Sequence, residues 1–307
     1  MSDNKLTFGQ SLQFKLLWGF AWCIAHTPRW FRYHMLQPFI VAILMLLRYR
    51  RRVIMDNLSR SYPEKTEKEL KRIMYRNYRI LAEIVVDTMS LVGITPERGR
   101  DMMKYVGVEE HKAKLKGRDW IALASHYGCW EYFPLWCWGD PDVKFMSVYH
   151  PLQSAVFEEF YRRMRLFAPG ISVVPMQECV RRYLRQRSSG EQTIIGLVAD
   201  QNPPLRPDSY WFDFLNQETV FFDGAEKLAM RFNLPAYFVN VKRVAPGRYE
   251  GTFTEIYDGE SELQPNEFTG RYVKALESMI NDCPELWMWS HRRWKHKRSH
   301  QHILDKS

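Results

Sequence analysis

Apolar positions along the chain change their period from one region to the next. Two uninterrupted apolar runs stand near the start, residues 16–25 (LLWGFAWCIA) and 39–47 (FIVAILMLL). Thr66 and Glu69 then form a capping-box pair, and Leu70, Ile73, Met74, Leu81, Ile84 and Val85 recur at helical spacing, which predicts a long helix reaching about Leu91. Pro96 and Gly99 break that pattern. Beyond them, short apolar runs alternate with helical ones. Residues 120–125 (WIALAS), 143–149, 193–199 (TIIGLVA) and 235–241 predict strands, and residues 153–167, 178–187 and 223–232 predict helices. That alternation predicts an α/β sandwich around a largely buried sheet.

As helices, the two N-terminal runs would each rise only about 15 Å, half of the roughly 30 Å hydrocarbon thickness of a bilayer. Neither spans a membrane alone. Asp3 ahead of the first run, and the lack of a small-residue cleavage site after Ala25, argue against a cleaved signal. Arg48, Arg50, Arg51 and Arg52 follow the second run and favour the cytoplasmic side. The expectation is therefore of membrane-interfacial or shallowly inserted helices in residues 1–50, followed by one catalytic domain over residues 51–307. No repeat or linker divides the remainder.

Charge sharpens this picture. The 307 residues carry a formal net charge of +9, but residues 1–60 hold nine Lys/Arg against two Asp, and residues 287–307 hold six against one. The middle of the chain is close to neutral. Basic ends laced with Trp and Tyr suit an anionic membrane surface, at about 1 kcal/mol per cation near the lipid. A nucleic-acid binder would spread its cations over a folded face, so no nucleic-acid partner is expected. Five scattered cysteines, with no CxxC, argue against a disulfide framework or a structural zinc site.

The candidate chemistry sits at strand ends. His126-Tyr-Gly-Cys-Trp-Glu131 follows WIALAS directly, where α/β active sites commonly lie. Regular helix would point His126 and Glu131 some 140° apart, so they meet only if the segment bends, and Gly128 permits a bend. A helix starting just after His126 would help to keep the ring neutral. Glu131 would then hold one ring nitrogen's proton while the other nitrogen serves as general base. Tyr149 and His150 end the next predicted strand, Asp200 and Gln201 end the one after, and Arg162, Arg163 and Arg165 lie on the helix between. Phosphate-loop, dinucleotide and serine-elbow motifs are missing, as is a metal-ligand spacing. Cys129 lacks a separate activator, which argues against a covalent cysteine mechanism. What remains is a base that deprotonates a hydroxyl or amine for direct attack on a carbonyl.

These residues resemble the lysophospholipid acyltransferase superfamily, and within it the late acyltransferases of lipid A biosynthesis. His126 and Glu131 match the HxxxxE pair. Asn57-Leu58 with Tyr62-Pro63-Glu64 is similar to an N-terminal NL…FPE block, Tyr149-His-Pro-Leu152 to a YRPL block with His150 in place of Arg, and Asp200-Gln-Asn-Pro203 to a DQ block. Residues 211–216 resemble the aromatic stretch that follows, and Pro284-Glu-Leu-Trp287 with His291-Arg-Arg-Trp-Lys295 the closing WxHRRWK pattern. The resemblance implies His126 as base, Glu131 as its orienting partner, Arg163 as an essential helix arginine (with Arg162 and Arg165 close by) and Asp200 as a catalytic acid group. Tyr149, His150, Gln201, Arg292 and Arg293 would contact substrate. It implies no cofactor. The donor would be a fatty acyl thioester on acyl carrier protein or coenzyme A, and the acceptor a lipid A precursor at the cytoplasmic face of the inner membrane. An amino-acid-based or glycerol-based lyso-lipid acceptor, or a non-catalytic lipid-binding relative, is the alternative. Trp287, Trp289 and Trp294, with Arg292, Arg293, Lys295, Lys297 and Arg298, are expected to face anionic lipid.

Overall fold

The computed structural model describes residues 6–140 and 142–299. Helices α1 (Phe8–His26) and α2 (Arg29–Phe31), a π-helical stretch Arg32–Leu36, and α3 (Gln37–Leu46), α4 (Arg51–Ser61), α5 (Glu67–Met89) and α6 (Pro96–Met102) precede the first strand, β1 (Met103–Tyr105). Next come α7 (Val108–Leu115), β2 (Trp120–Ala124), a 3-10 helix Trp130–Trp138, β3 (Lys144–Tyr149), α8 (Ala155–Arg165), β4 (Ile171–Pro175) and α9 (Cys179–Arg187). The chain continues through β5 (Thr193–Val198), β6 (Trp211–Phe214), β7 (Gln217–Val220), α10 (Gly224–Phe232), β8 (Ala236–Ala245), β9 (Arg248–Tyr257) and α11 (Glu267–Asp282). The predicted strands and helices are all present within a few residues of their expected limits. The Thr66–Glu69 capping box forms as read and starts α5.

Seven strands make one sheet in the order β1-β9-β8-β2-β5-β3-β4. The neighbours β8, β2, β5, β3 and β4 run parallel, while β9 is antiparallel to β8 and carries β1 beside it. All five residues of β2 are buried, because both faces of the sheet are covered. Ile121 and Leu123 pack with Tyr78 of α5 and with Leu276 and Ile280 of α11. The alternate positions Trp120, Ala122 and Ala124 pack with Leu115 of α7 and with Phe133 and Trp136 of the 3-10 helix. The two-residue period of the strand thus feeds two layers at once, and each fully buried aliphatic side chain contributes about 1.5–3 kcal/mol.

The N-terminal helices bind this body by one side only. Trp18 of α1 lies 5.8 Å from Phe160 of α8, edge to face. Gln37 donates to the buried Glu83 of α5, and Tyr33 donates to Asp87 at 2.5 Å. The outer side of α1 leaves Phe8, Leu12, Leu16 and Phe20 exposed at four-residue spacing, and α3 exposes Phe39, Ile43 and Met45. Among the described residues no single helix is long and apolar enough to cross a membrane, and the chain turns by 89° between Arg29–Leu46 and Arg51–Ser61.

The C-terminal expectation needs correcting. Trp287, Trp289 and Arg293 are buried, and so cannot face lipid. Their segment is held from both sides by amides: Asn77 donates to the carbonyls of Glu285 and Trp287, and Asn57 to those of Trp289 and His291, all at 2.8 Å. Basic and aromatic composition gave the appearance of a surface tail, but satisfied backbone hydrogen bonds keep it inside. Arg292, Lys295, Lys297 and Arg298 are exposed.

Candidate active site

In the parallel pairing of β2 with β5, Ala124 lies opposite Val198. Carried two residues past that pair, the same register puts His126 beside Asp200 at the carboxyl edge of the sheet. His126 Nδ1 is 2.6 Å from Asp200 Oδ1, and the His126 backbone N–H donates to Oδ2 at 3.0 Å. Trp287 Nε1 donates to the same Oδ2 at 2.8 Å. Asp200 is buried, which works to raise its pKa, but the His126 ring and the three donated hydrogen bonds outweigh burial and hold the carboxyl below its ordinary value. With Nδ1–H directed at a carboxylate, the neutral ring keeps its lone pair on Nε2. Gln201 presents its amide to that nitrogen at 3.1 Å.

The C-terminal segment completes the site. Tyr127 bridges Trp287 in antiparallel fashion, Met288 N donates to the His126 carbonyl at 3.0 Å, and Gly128 N donates to the Leu286 carbonyl at 2.9 Å. Gly128 adopts φ +56°, and a Cβ there would lie 2.6 Å from the Tyr249 ring, so both the turn and the packing require glycine. The chain does bend at Gly128, but the next helix starts only at Trp130. It is too late to act on the His126 ring as a helix placed directly after it would.

That bend does not bring Glu131 to His126 as its orienting partner. Both Glu131 oxygens accept from Arg165, Oε2 from Nε at 2.7 Å and Oε1 from Nη2 at 2.6 Å, and Trp130 Nε1 donates to Oε1 at 3.1 Å. The Trp130 ring also packs edge-on to His126, 4.8 Å between centroids, so one indole touches both groups. Burial disfavours the Arg165 charge, but the Glu131 carboxylate outweighs it and raises the guanidinium pKa. Arg165 also stands over the Tyr149 and Tyr161 rings, at 5.6 and 5.2 Å. Arg163 is elsewhere. Two helical residues are about 200° apart, so with Arg165 on Glu131, Arg163 points to the far side of α8. There it pairs with Glu159 and lies 4.7 Å over the Phe14 ring of α1. Arg162 pairs with Glu159 as well.

A strand-end histidine backed by a buried carboxylate from the neighbouring strand, with an adjacent buried Glu–Arg pair, is now in view, and comparison with known proteins gives it a class. The profile of the bacterial lipid A biosynthesis acyltransferase family matches residues 4–296. The chain belongs to that family. No curated protein matches it.

In this acyltransferase the remaining expected site residues divide. Tyr149 is half-buried at the end of β3 and donates to Glu158, whose other oxygen accepts from the Leu152 backbone at 2.8 Å. His150 is exposed, with Nδ1 3.1 Å from the neighbouring Pro151 carbonyl. Arg293 donates to Asn202 at 3.0 Å and to the Val220 carbonyl at 2.7 Å, with Phe221 under its guanidinium at 4.4 Å, so it braces the segment after Asp200. Arg292 is exposed, and its carbonyl accepts from Asn202 at 2.7 Å. Cys129 is buried, and burial pushes its thiol well above the ordinary value, so it supplies no thiolate. Sequence reasoning passed over Trp130 and the indole of Trp287. For Trp130 the available signal was its place inside the His126–Glu131 segment; Trp287 stands 87 positions from Asp200, and no local spacing pointed to their contact.

Proposed function

We propose that this acyltransferase moves a fatty acyl chain from a thioester, on acyl carrier protein or coenzyme A, to a hydroxyl of a lipid A precursor, with His126 as general base. The observation that carries the reading is the 2.6 Å contact of His126 Nδ1 with the buried Asp200 carboxylate, which leaves Nε2 as the free basic nitrogen facing the Gln201 amide. The acceptor hydroxyl would take the place of that amide. Nε2 removes its proton as the oxygen attacks the thioester carbonyl. The C–S bond then breaks and the leaving sulfur recovers the proton from the imidazolium, which Asp200 stabilises. No acyl-enzyme forms, in keeping with the buried, protonated Cys129. Glu131 and Arg165 work as a fixed charged pair beside the base, and the pairing of His126 with Asp200 replaces the expected His–Glu dyad.

The acyl chain has a candidate berth. A cavity of about 290 Å³, close to the lower end of the roughly 300–1,000 Å³ typical of ligand pockets, starts at Pro203, and Met176, Tyr210, Phe212, Phe221 and Phe222 are among its walls. The exposed apolar sides of α1 and α3, with Arg48, Arg50, Arg51 and Arg52 beside them, support residence at the cytoplasmic face of an anionic inner membrane.

The test is incubation of the purified protein with defined acyl thioesters and a lipid A precursor, a glycerol lyso-lipid or an amino-acid-based lyso-lipid, with product masses read. The reading requires one acyl mass added to the lipid A precursor and one equivalent of free thiol released. Acylation of another acceptor alone would overturn the acceptor, and no transfer from either thioester would overturn the reaction.

A further inference from the structure

A second pocket, with three arginines in its walls, lies apart from the site just described and shares no residue with it. It measures about 140 Å³, and Arg29, Arg32, Tyr33, Arg98, Asp101 and Gly247 are among its walls. Three segments converge here: the α2 start, the α6 helix, and the tip of the β8–β9 hairpin. Asp101 is already taken, since Arg248 donates to it at 3.0 and 2.6 Å. Among the described residues, the guanidinium groups of Arg29, Arg32 and Arg98 form no ion pair with a carboxylate. Arg29 donates to the Pro246 carbonyl at 2.5 Å and Arg32 to the Ser90 hydroxyl at 2.5 Å. Arg32 is only 8% exposed, and its Nε is buried with no hydrogen-bond partner among the described residues, as is Nη2 of Arg98.

Three like charges crowded around a small cavity, with buried donors left over, are unstable without an anion. Burial and the neighbouring Arg32 both depress the Arg98 pKa, which is the cost of that crowding. The buried carboxyl of Asp87, which accepts from Tyr33, does little to offset it, because burial and Glu83 push its pKa up to about 8. Guanidinium forks match tetrahedral oxyanions well, and the cavity is too small for a bulky headgroup.

We propose that Arg29, Arg32 and Arg98 form a binding site for a phosphomonoester, carried as a lipid headgroup or free. The site is independent of His126 and Asp200 and is tested by binding alone. Full-length protein in neutral detergent is titrated calorimetrically with dihexanoyl phosphatidic acid, dihexanoyl phosphatidylcholine and inorganic phosphate. Phosphatidic acid is expected to bind, and Arg98→Gln to weaken it about tenfold, the equivalent of one charged hydrogen bond. Arg29→Gln, on a half-exposed residue, is expected to act in the same direction, and Arg181→Gln on a remote surface arginine to have no effect. Thermal melts of each variant report whether the fold is kept. Unchanged affinity in a folded Arg98 or Arg29 variant would overturn the site. Equal weakening by Arg181→Gln, or no binding of either phosphatidic acid or inorganic phosphate, would overturn the site; inorganic phosphate binding as tightly as phosphatidic acid would assign it to free phosphate, and weaker binding to the lipid headgroup.

Discussion

His126 Nδ1 and Asp200 Oδ1, 74 positions apart in sequence, sit 2.6 Å apart because β2 and β5 pair in parallel with that same offset. The orienting carboxylate of the base therefore comes from the adjacent strand, and Trp287 anchors it from a third part of the chain. Replacing Asp200 with Asn keeps the shape but removes the charge that holds the ring and stabilises its protonated form. The turnover number is expected to fall by about 10²–10⁴ with little change in KM. Initial rates of thioester consumption measure this, and an Asp200→Asn enzyme of normal kcat would remove Asp200 from the mechanism.

Arg165 and Arg163 offer a contrast inside one helix. Arg165→Ala leaves Glu131, 4% exposed, without its bidentate partner, and a broken buried pair costs about 3–5 kcal/mol. Arg163→Ala removes a half-exposed guanidinium from Glu159, which keeps its pair with Arg162, so losses stay within about 1 kcal/mol. Urea unfolding of the two variants should separate them clearly, and only the Arg165 change should also suppress acyl transfer. Similar stabilities would mean that the Glu131–Arg165 pair is not a buried unit in solution.

Asn77 is wholly buried, and its amide serves the Glu285 and Trp287 carbonyls together. Asn77→Ala strands both acceptors and should destabilise the protein by about 1–3 kcal/mol. Since Trp287 also holds Asp200, the same variant is expected to lose activity at temperatures where it remains folded. Hydrogen exchange should report faster exchange at Met288 N, which donates to the His126 carbonyl. Unaltered exchange there would argue against a clamp running from α5 to the base.

Stability should also carry an acid signature from His111. The ring is stacked on Phe253 at 4.0 Å, packs edge-on to Trp120, and has neither nitrogen hydrogen-bonded among the described residues. Burial lowers its pKa to about 4. A histidine depressed on folding contributes stability that is complete above its unfolded value near 6.5 and is lost as pH falls toward about 4. His111→Phe should therefore flatten the loss of unfolding free energy between pH 6.5 and pH 4, measured by urea titration at both ends of that range. An unchanged slope would assign the acid sensitivity elsewhere; His291, also held near 4 by burial, is the next candidate.

Much of this enzyme could be read from residue order. The capping box at Thr66, the buried strand WIALAS and the helices between strands follow from local spacing, and local spacing is what dictates local backbone structure. His126, Asp200 and Gln201 were recognisable as strand-end polar groups for the same reason, and the family blocks named their chemistry. The position of Arg165 was legible only as one of three arginines. Helical phase separates Arg163 from Arg165 once the direction of one of them is known, and that direction depends on where α8 packs.

The pairing of groups was a different matter. Glu131 is five residues from His126 and Asp200 is 74 away, yet the ring bonds to Asp200, because the parallel register brings the two strand ends level while the Gly128 turn delivers Glu131 to Arg165. Trp287, Trp289 and Arg293 have the composition of a lipid-facing tail, but their segment became interior once Asn77 satisfied the carbonyls of Glu285 and Trp287 and Asn57 those of Trp289 and His291. By itself the chain's order determined which elements form and which polar residues end them. Tertiary structure alone decided which of those residues meet, since strand adjacency and register are set by how two sheet faces are buried together, and no short-range pattern encodes that.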